Sequence, residues 1–201
     1  MITESQIYSL HQKYSHGIYK KEILDLVWTH SLIVKEISLQ IANILKDKYQ
    51  ISLDFDLLTT GALIHDLGFY KCFDDNFNKT KKYVLHGRFG YELCHQEKLL
   101  ESISRFCLVH VGVGIFPNIP ITVEEEIVTF ADCFHSKDGS GFKSISKIKN
   151  NFKKNYPKDL PILNHFENKF GNPNLSELEK KYEPWHQKIY NWLDDINKTV
   201  I

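Results

Sequence analysis

Six residues of this 201-residue chain have the side chains that ligate divalent transition metals and sit where a helical protein keeps apolar ones. They are His30, His65, Asp66, His86, His110 and Asp132. His65 and Asp66 are adjacent, closing Gly61-Ala62-Leu63-Ile64-His65-Asp66-Leu67-Gly68, a run that otherwise reads as buried helix. An imidazole and a carboxylate are expensive there without compensation, and a metal ion is the usual compensation. Taken alone, the pair could instead cap a helix end and offset its dipole. With the other four it reads as a metal site. Neutral imidazoles and carboxylates suit iron, manganese, nickel, cobalt or zinc, and six donors exceed what one tetrahedral site uses, so two ions are expected.

The elements that must carry these residues read as helices throughout, giving an all-α class. Thr3 with Gln6 is a capping box opening a short helix to about Tyr14. From about Tyr19 to Lys48, Ile23, Val27, Val34, Ile37, Ile41 and Ile44 recur at helical spacing, with His30 on the same apolar stripe. A further helix, capped by Asp54 or Asp56, ends at His65-Asp66, with Gly68 expected as a left-handed stop. Residues from Phe69 to Lys82 read as a surface loop and candidate lid. Helix resumes from about Tyr83 to Glu97, with His86 in its first turn, and from Leu99 to Val109, with His110 at its end. Glycine and proline exclude helix from Val111 to Pro120. Thr122 with Glu125 is a second capping box, opening a helix that ends with Asp132 on its apolar side. A turn over Ser136 to Gly141 is followed by three helical stretches, Phe142 to Asn155, Ile162 to Phe170 and Leu175 to Val200, in the last of which Pro184 should kink or restart the helix. No strand is expected. One domain is expected over 1–201, its core about 19–137 and a C-terminal helical extension about 142–201.

The order H, H-D, H, H, D across several helices resembles the HD superfamily of metal-dependent phosphohydrolases. The resemblance runs from about Ile23 to Lys137, through Val27-Trp28-Thr29-His30-Ser31, the His65-Asp66 run, His86-Gly87-Arg88-Phe89-Gly90, His110-Val111-Gly112-Val113-Gly114 and the helix ending Phe130-Ala131-Asp132. It implies a helical bundle in which His30, His65, Asp66 and Asp132 hold one metal, with His86 and His110 resembling the members that bind a second and Asp66 bridging the two. Phe69 departs from relatives that place a basic residue after the H-D-x-G run, and Lys71 is a candidate replacement.

The chemistry that follows is phosphate-ester hydrolysis by a metal-activated hydroxide, with Asp66 and Arg88 as catalytic residues and Arg88, Lys137, Lys71 and His135 as substrate contacts. Arg105 is expected in a structural ion pair. His11, His16, His95, His165 and His186 are expected at the surface or in packing. The favoured substrate is a nucleotide or other small phosphorylated metabolite, ahead of symmetrical diadenosine-tetraphosphate cleavage. Two other classes remain open: a di-iron oxygenase, resembled by some relatives with a similar six-residue set, and a nucleotide-binding module without turnover.

Lys+Arg and Asp+Glu balance at 25 each, which argues against a basic nucleic-acid surface or a polybasic membrane face. No apolar run approaches the roughly 20 residues that span a bilayer. Four cysteines without a C-x-x-C pair, and an N-terminus without signal-peptide character, read as a cytoplasmic protein with reduced thiols.

Overall fold

Hydrophobic periodicity and capping place nine α-helices along the residues described, 2–113 and 118–199, in a computed structural model of the chain. The helix α1 (Glu4–Tyr14) opens on a complete capping box: Thr3 Oγ1 accepts the Gln6 N–H at 3.2 Å and Gln6 Oε1 accepts the Thr3 N–H at 2.8 Å. The long helix α2 (Lys20–Tyr49) buries the stripe Ile23, Val27, His30, Val34, Ile37 and Ile41. Asp54 caps α3 (Phe55–Ile64), accepting the Leu57 N–H at 2.9 Å.

A helix that stops in the interior leaves carbonyls without intrahelical partners, and here three side chains take them. The Ala62 oxygen accepts the His65 Nδ1–H at 2.7 Å, the Leu63 oxygen accepts the His11 Nε2–H at 2.9 Å, and the Ile64 oxygen accepts the Cys107 thiol at 3.3 Å. The chain then turns through Asp66, at φ −99° and ψ 13°, into a 3₁₀ helix over Leu67–Cys72.

That segment corrects two expectations. Gly68 is not a left-handed stop, because its φ is not positive; it is required by close approach. A Cβ at Gly68 would lie 1.9 Å from the His86 oxygen and 2.2 Å from the Gly90 nitrogen. Residues 69–82 are not one surface loop either: Phe69, Tyr70 and Cys72 are buried, because the 3₁₀ helix turns their side chains into the core. Only about 73–80 is a loop, closed by the Phe73–Lys79 bridge and by Thr80 donating through N and Oγ1 to the Cys72 oxygen. A second 3₁₀ turn, Lys81–Leu85, leads into α4 (His86–Gln96).

His110 closes α5 (Glu101–Val109), and Val111–Val113 forms a further 3₁₀ turn rather than loop. Gly114 to Pro117, in the middle of the expected non-helical stretch, lies outside the described residues. Thr122 caps α6 (Val123–Asp132) by accepting the Glu125 N–H at 3.2 Å, but the box is half made, because the Glu125 carboxylate is used elsewhere. It accepts Arg105 Nε at 2.7 Å and Nη2 at 3.1 Å, a part-buried fork-to-fork pair that ties α5 to α6.

A hairpin of two short strands, β1 (His135–Ser136) and β2 (Gly141–Phe142), replaces the expected plain turn. The helices α7 (Ile145–Asn155), α8 (Leu160–Phe170) and α9 (Ser176–Thr199) follow, with α8 packed on α6 and α2. Pro184 does not restart α9, which runs through it as one element. Among the described residues no helix is long and apolar enough to cross a membrane.

Two apolar clusters meet where the candidate ligands lie. Val27, Leu63, Ile64 and Cys107 belong to one, and Val34, Ala62 and Phe106 to the other. His30 and His65 therefore sit at the seam, in a polar strip walled on both sides.

The α1 helix is strapped to this seam by His11, which is fully buried, accepts the Tyr70 hydroxyl at 2.9 Å and caps Leu63. Burial lowers its pKa to about 4, the Leu63 hydrogen bond opposing. Between pH 6.5 and 4 the unfolded chain binds the proton that the folded chain refuses, so stability is complete above pH 6.5 and falls as pH drops. The loss reaches on the order of 3 kcal/mol at pH 4. Replacing His11 with Gln should flatten the pH dependence of denaturant midpoints over this range, and an equal slope in both proteins would contradict it.

Candidate metal centre

Three of the four imidazoles in the cluster have their tautomer set by a carbonyl one helical turn away. His65 Nδ1 donates to Ala62, His86 Nδ1 to the Tyr83 oxygen at 2.9 Å, and His110 Nδ1 to the Phe106 oxygen at 3.1 Å. A carbonyl can only accept, so each ring keeps a proton on Nδ1 and turns Nε2 inward. Imidazoles held in this way present Nε2 to a candidate metal site without turning.

Their Nε2 atoms converge on two carboxylates. His30 Nε2 lies 2.9 Å from Asp132 Oδ1, 3.2 Å from Asp66 Oδ2 and 3.3 Å from His65 Nε2, and His65 Nε2 is 3.3 Å from Asp66 Oδ2. On the far side of the same carboxylate, Asp66 Oδ1 lies 3.5 Å from His110 Nε2 and 3.8 Å from His86 Nε2, which are 3.0 Å from each other. Two groups of donor atoms result, His30, His65, Asp66 and Asp132 in one and Asp66, His86 and His110 in the other, each within 4.8 Å of one another.

Two observations show that these residues suit a cation. Asp66 Oδ1 is a buried oxygen with no hydrogen-bond partner, which costs about 1–3 kcal/mol or more unless something positive faces it. His86 and His110 also bring Nε2 to Nε2 at hydrogen-bond distance although both rings are turned there with lone pairs, an opposition that a shared positive centre relieves. The donor set, nitrogens and oxygens on short side chains, is the one divalent transition metals take.

Electrostatics points the same way. Burial penalises the Asp66 and Asp132 carboxylates, but Lys137 and His65 outweigh it and hold both well below the usual range. His65 is likewise opposed by burial, yet the two carboxylates raise its pKa to about 9. His86, on the other side, is lowered to about 4 by burial and by His110. Both carboxylates therefore stay ionised in the pocket, with Lys137 and His65 as their counter-charges.

Lys137, expected as a substrate contact, is brought here by the β1–β2 turn. Its Nζ touches Asp66 Oδ2 and lies 3.2 Å from His30 Nε2; burial opposes its charge, but the two carboxylates raise its pKa above that of a free lysine. The other expected substrate residues lie elsewhere. Arg88 is two residues beyond His86, about 200° around the helix; it is 72% exposed and pairs with Glu92 at 3.0 Å. Lys71 is exposed on the 3₁₀ helix whose Phe69 and Tyr70 face the core. His135 is buried behind His30, its Nδ1 2.7 Å from His30 Nδ1, so it faces a ligand rather than a substrate. Its Nε2 lies 2.8 Å from Nε2 of His186, a residue that sequence spacing did not connect with the cluster. Fifty-one positions separate the two, and no local pattern marks such a pair.

An all-α bundle whose helices deliver histidines and aspartates to one buried pocket is a scaffold for divalent-metal chemistry. This chain belongs to the HD domain family, whose profile matches residues 27–137 and so encloses every candidate ligand. Membership implies metal-dependent phosphohydrolase-type activity, and it agrees with the resemblance read from the sequence. The tRNA (cytidine(56)-2'-O)-methyltransferase of Thermoplasma volcanium is 26% identical over 133 residues, covering 60% of this chain and 35% of that protein. The chain thus corresponds to about a third of the relative's length. No solved structure is a significant match.

Proposed function

We propose that the chain hydrolyses a phosphate ester of a nucleotide or another small phosphorylated metabolite, using two divalent ions that share Asp66. The observation that carries this reading is the buried, unpartnered Asp66 Oδ1 facing His86 and His110 while Oδ2 faces His30 and His65. His30, His65, Asp66 and Asp132 would hold one ion, and Asp66, His86 and His110 the other. When bound, the ions supply a water nucleophile at neutral pH and neutralise charge at phosphorus.

The chain's own residues do the rest. The carbonyl-anchored imidazoles keep their geometry without reorganisation, which is where preorganised sites gain most. Lys137 offers an ammonium at the rim, ready to turn from Asp66 to a phosphate oxygen. The equal numbers of acidic and basic residues support a small substrate over a nucleic acid. Methyl transfer to tRNA, the activity named for the Thermoplasma relative, is not proposed for a chain spanning about a third of it.

The test is phosphate release from an aryl phosphate and a nucleotide panel under anaerobic conditions, with manganese, iron, cobalt or nickel supplied. Release that persists without oxygen and stops with chelator is expected; oxygen-dependent substrate loss, or nucleotide binding without turnover, would replace this reading. Lys137→Met should lower kcat about 100-fold with bound metal unchanged, as loss of one preorganised charge contact does. Arg88→Ala, with its side chain on the outer face, should leave metal and activity unchanged. Equal loss in the two variants would undo these roles.

A further inference from the structure

His30 is the exception among the cluster's imidazoles. The other three donate Nδ1–H to a carbonyl, which fixes a proton on that nitrogen. His30 Nδ1 instead faces His135 Nδ1 at 2.7 Å, and an imidazole nitrogen can donate or accept. His30 Nε2 faces two acceptors, Asp132 Oδ1 at 2.9 Å and Asp66 Oδ2 at 3.2 Å, and one donor, Lys137 Nζ at 3.2 Å, so its own contacts suit either order and the balance passes one residue further out, where His135 Nε2 meets His186 Nε2 at 2.8 Å.

We propose that His135 and His186 are positioning residues, extending His30 into a chain of three imidazoles whose common proton order determines whether His30 Nε2 turns a lone pair to the metal site. This rests on the metal-binding reading above.

Proton counting allows two orders. In one, His30 Nε2–H donates to Asp132, His135 Nδ1–H donates to His30 Nδ1, and His186 Nε2–H donates to His135 Nε2. In the other, His30 Nδ1–H donates to His135 Nδ1, His135 Nε2–H donates to His186 Nε2, and His186 carries its remaining proton on Nδ1. Only the second leaves His30 Nε2 free to ligate. Each ring keeps one proton, so passing from the first order to the second changes no charge on the chain. One proton leaves His30 Nε2 and one enters at His186 Nδ1. The outer end has access to water for this: His186 is half-buried and lines a surface cavity of about 750 Å³ together with Ser140, Lys180, Glu183 and Tyr190. Phe142 and Trp185 flank the His135 ring.

The experiment is a long-range ¹⁵N–¹H correlation spectrum of the labelled full chain, metal-free and after addition of Zn²⁺, with bound zinc counted by elemental analysis. The expected result is that His186 changes from the Nε2–H to the Nδ1–H tautomer as zinc binds, although two residues separate it from the ion. A protein that binds zinc while His186 keeps one tautomer would overturn the inference and leave the metal reading standing. A protein that binds no zinc would overturn both. His186→Ala should weaken zinc binding about tenfold, the lower end for loss of a partner behind a ligand. His186→Gln, whose Oε1 can accept the His135 proton, should restore most of it. Affinities equal to wild type in the alanine variant, or no rescue by glutamine, would also overturn the inference.

Discussion

Asp66→Ala is expected to remove most bound metal and to abolish phosphate release together. The carboxylate is fully buried and places one oxygen toward each donor group, so one substitution takes a ligand from both. His30, His65 and Asp132 would still offer three donors, but with one carboxylate instead of two, and His86 with His110 would keep no carboxylate at all. Asp66→Asn separates charge from shape: it preserves the volume, and it should lose metal nearly as completely because an amide neither bridges nor neutralises two cations. Elemental analysis beside circular dichroism checks both variants. A folded Asp66→Ala protein that retains two ions per chain would contradict the bridging role.

Gly68→Ala should be the most damaging single methyl in the chain. Its Cβ would stand 1.9 Å from the His86 oxygen and 2.2 Å from the Gly90 nitrogen, both backbone atoms that no rotamer change can move. Gly90 is itself closed in, since a Cβ there would lie 2.9 Å from both Cβ and Sγ of Cys107. The start of α4 must therefore shift by an ångström or more, and His86 is its first residue. Overpacking against rigid neighbours costs about 3 kcal/mol or more. The loss should be uneven as well: the group containing Asp132 does not involve α4, whereas the group containing His86 does. Denaturant midpoints should fall sharply, and metal content should drop toward one ion. Near-wild-type stability with two ions retained would show that α4 is not held by this contact.

All six candidate ligands were legible, because a polar residue on an apolar stripe or at a buried helix end is conspicuous. His30 interrupts the α2 stripe, and Asp132 ends an otherwise apolar α6 face; periodicity alone exposes both. The capping residues Thr3, Asp54 and Thr122 set helix starts by local hydrogen bonds, which sequence carries well. What escaped depends on long-range packing. Gly68 looked like a helix stop, since the same residue serves left-handed caps and close approaches, and only the distant Gly90 decides between them. Residues 69–72 looked like part of a loop because 3₁₀ segments have no strong periodicity, yet their aromatic side chains are core. Arg88 was drawn to the site by nearness in sequence to His86, where helical phase turns it outward. His135 was placed near the right pocket but on the wrong side of His30, and His186 gave no local signal of its partner.

The most direct test of the account is the metal-to-protein ratio of the chain purified without chelator and supplied with manganese, iron, cobalt, nickel or zinc. Two divalent ions per chain is the predicted result, one for each side of Asp66. A single ion would remove the second seat, and a chain that takes up none would contradict the account at its centre.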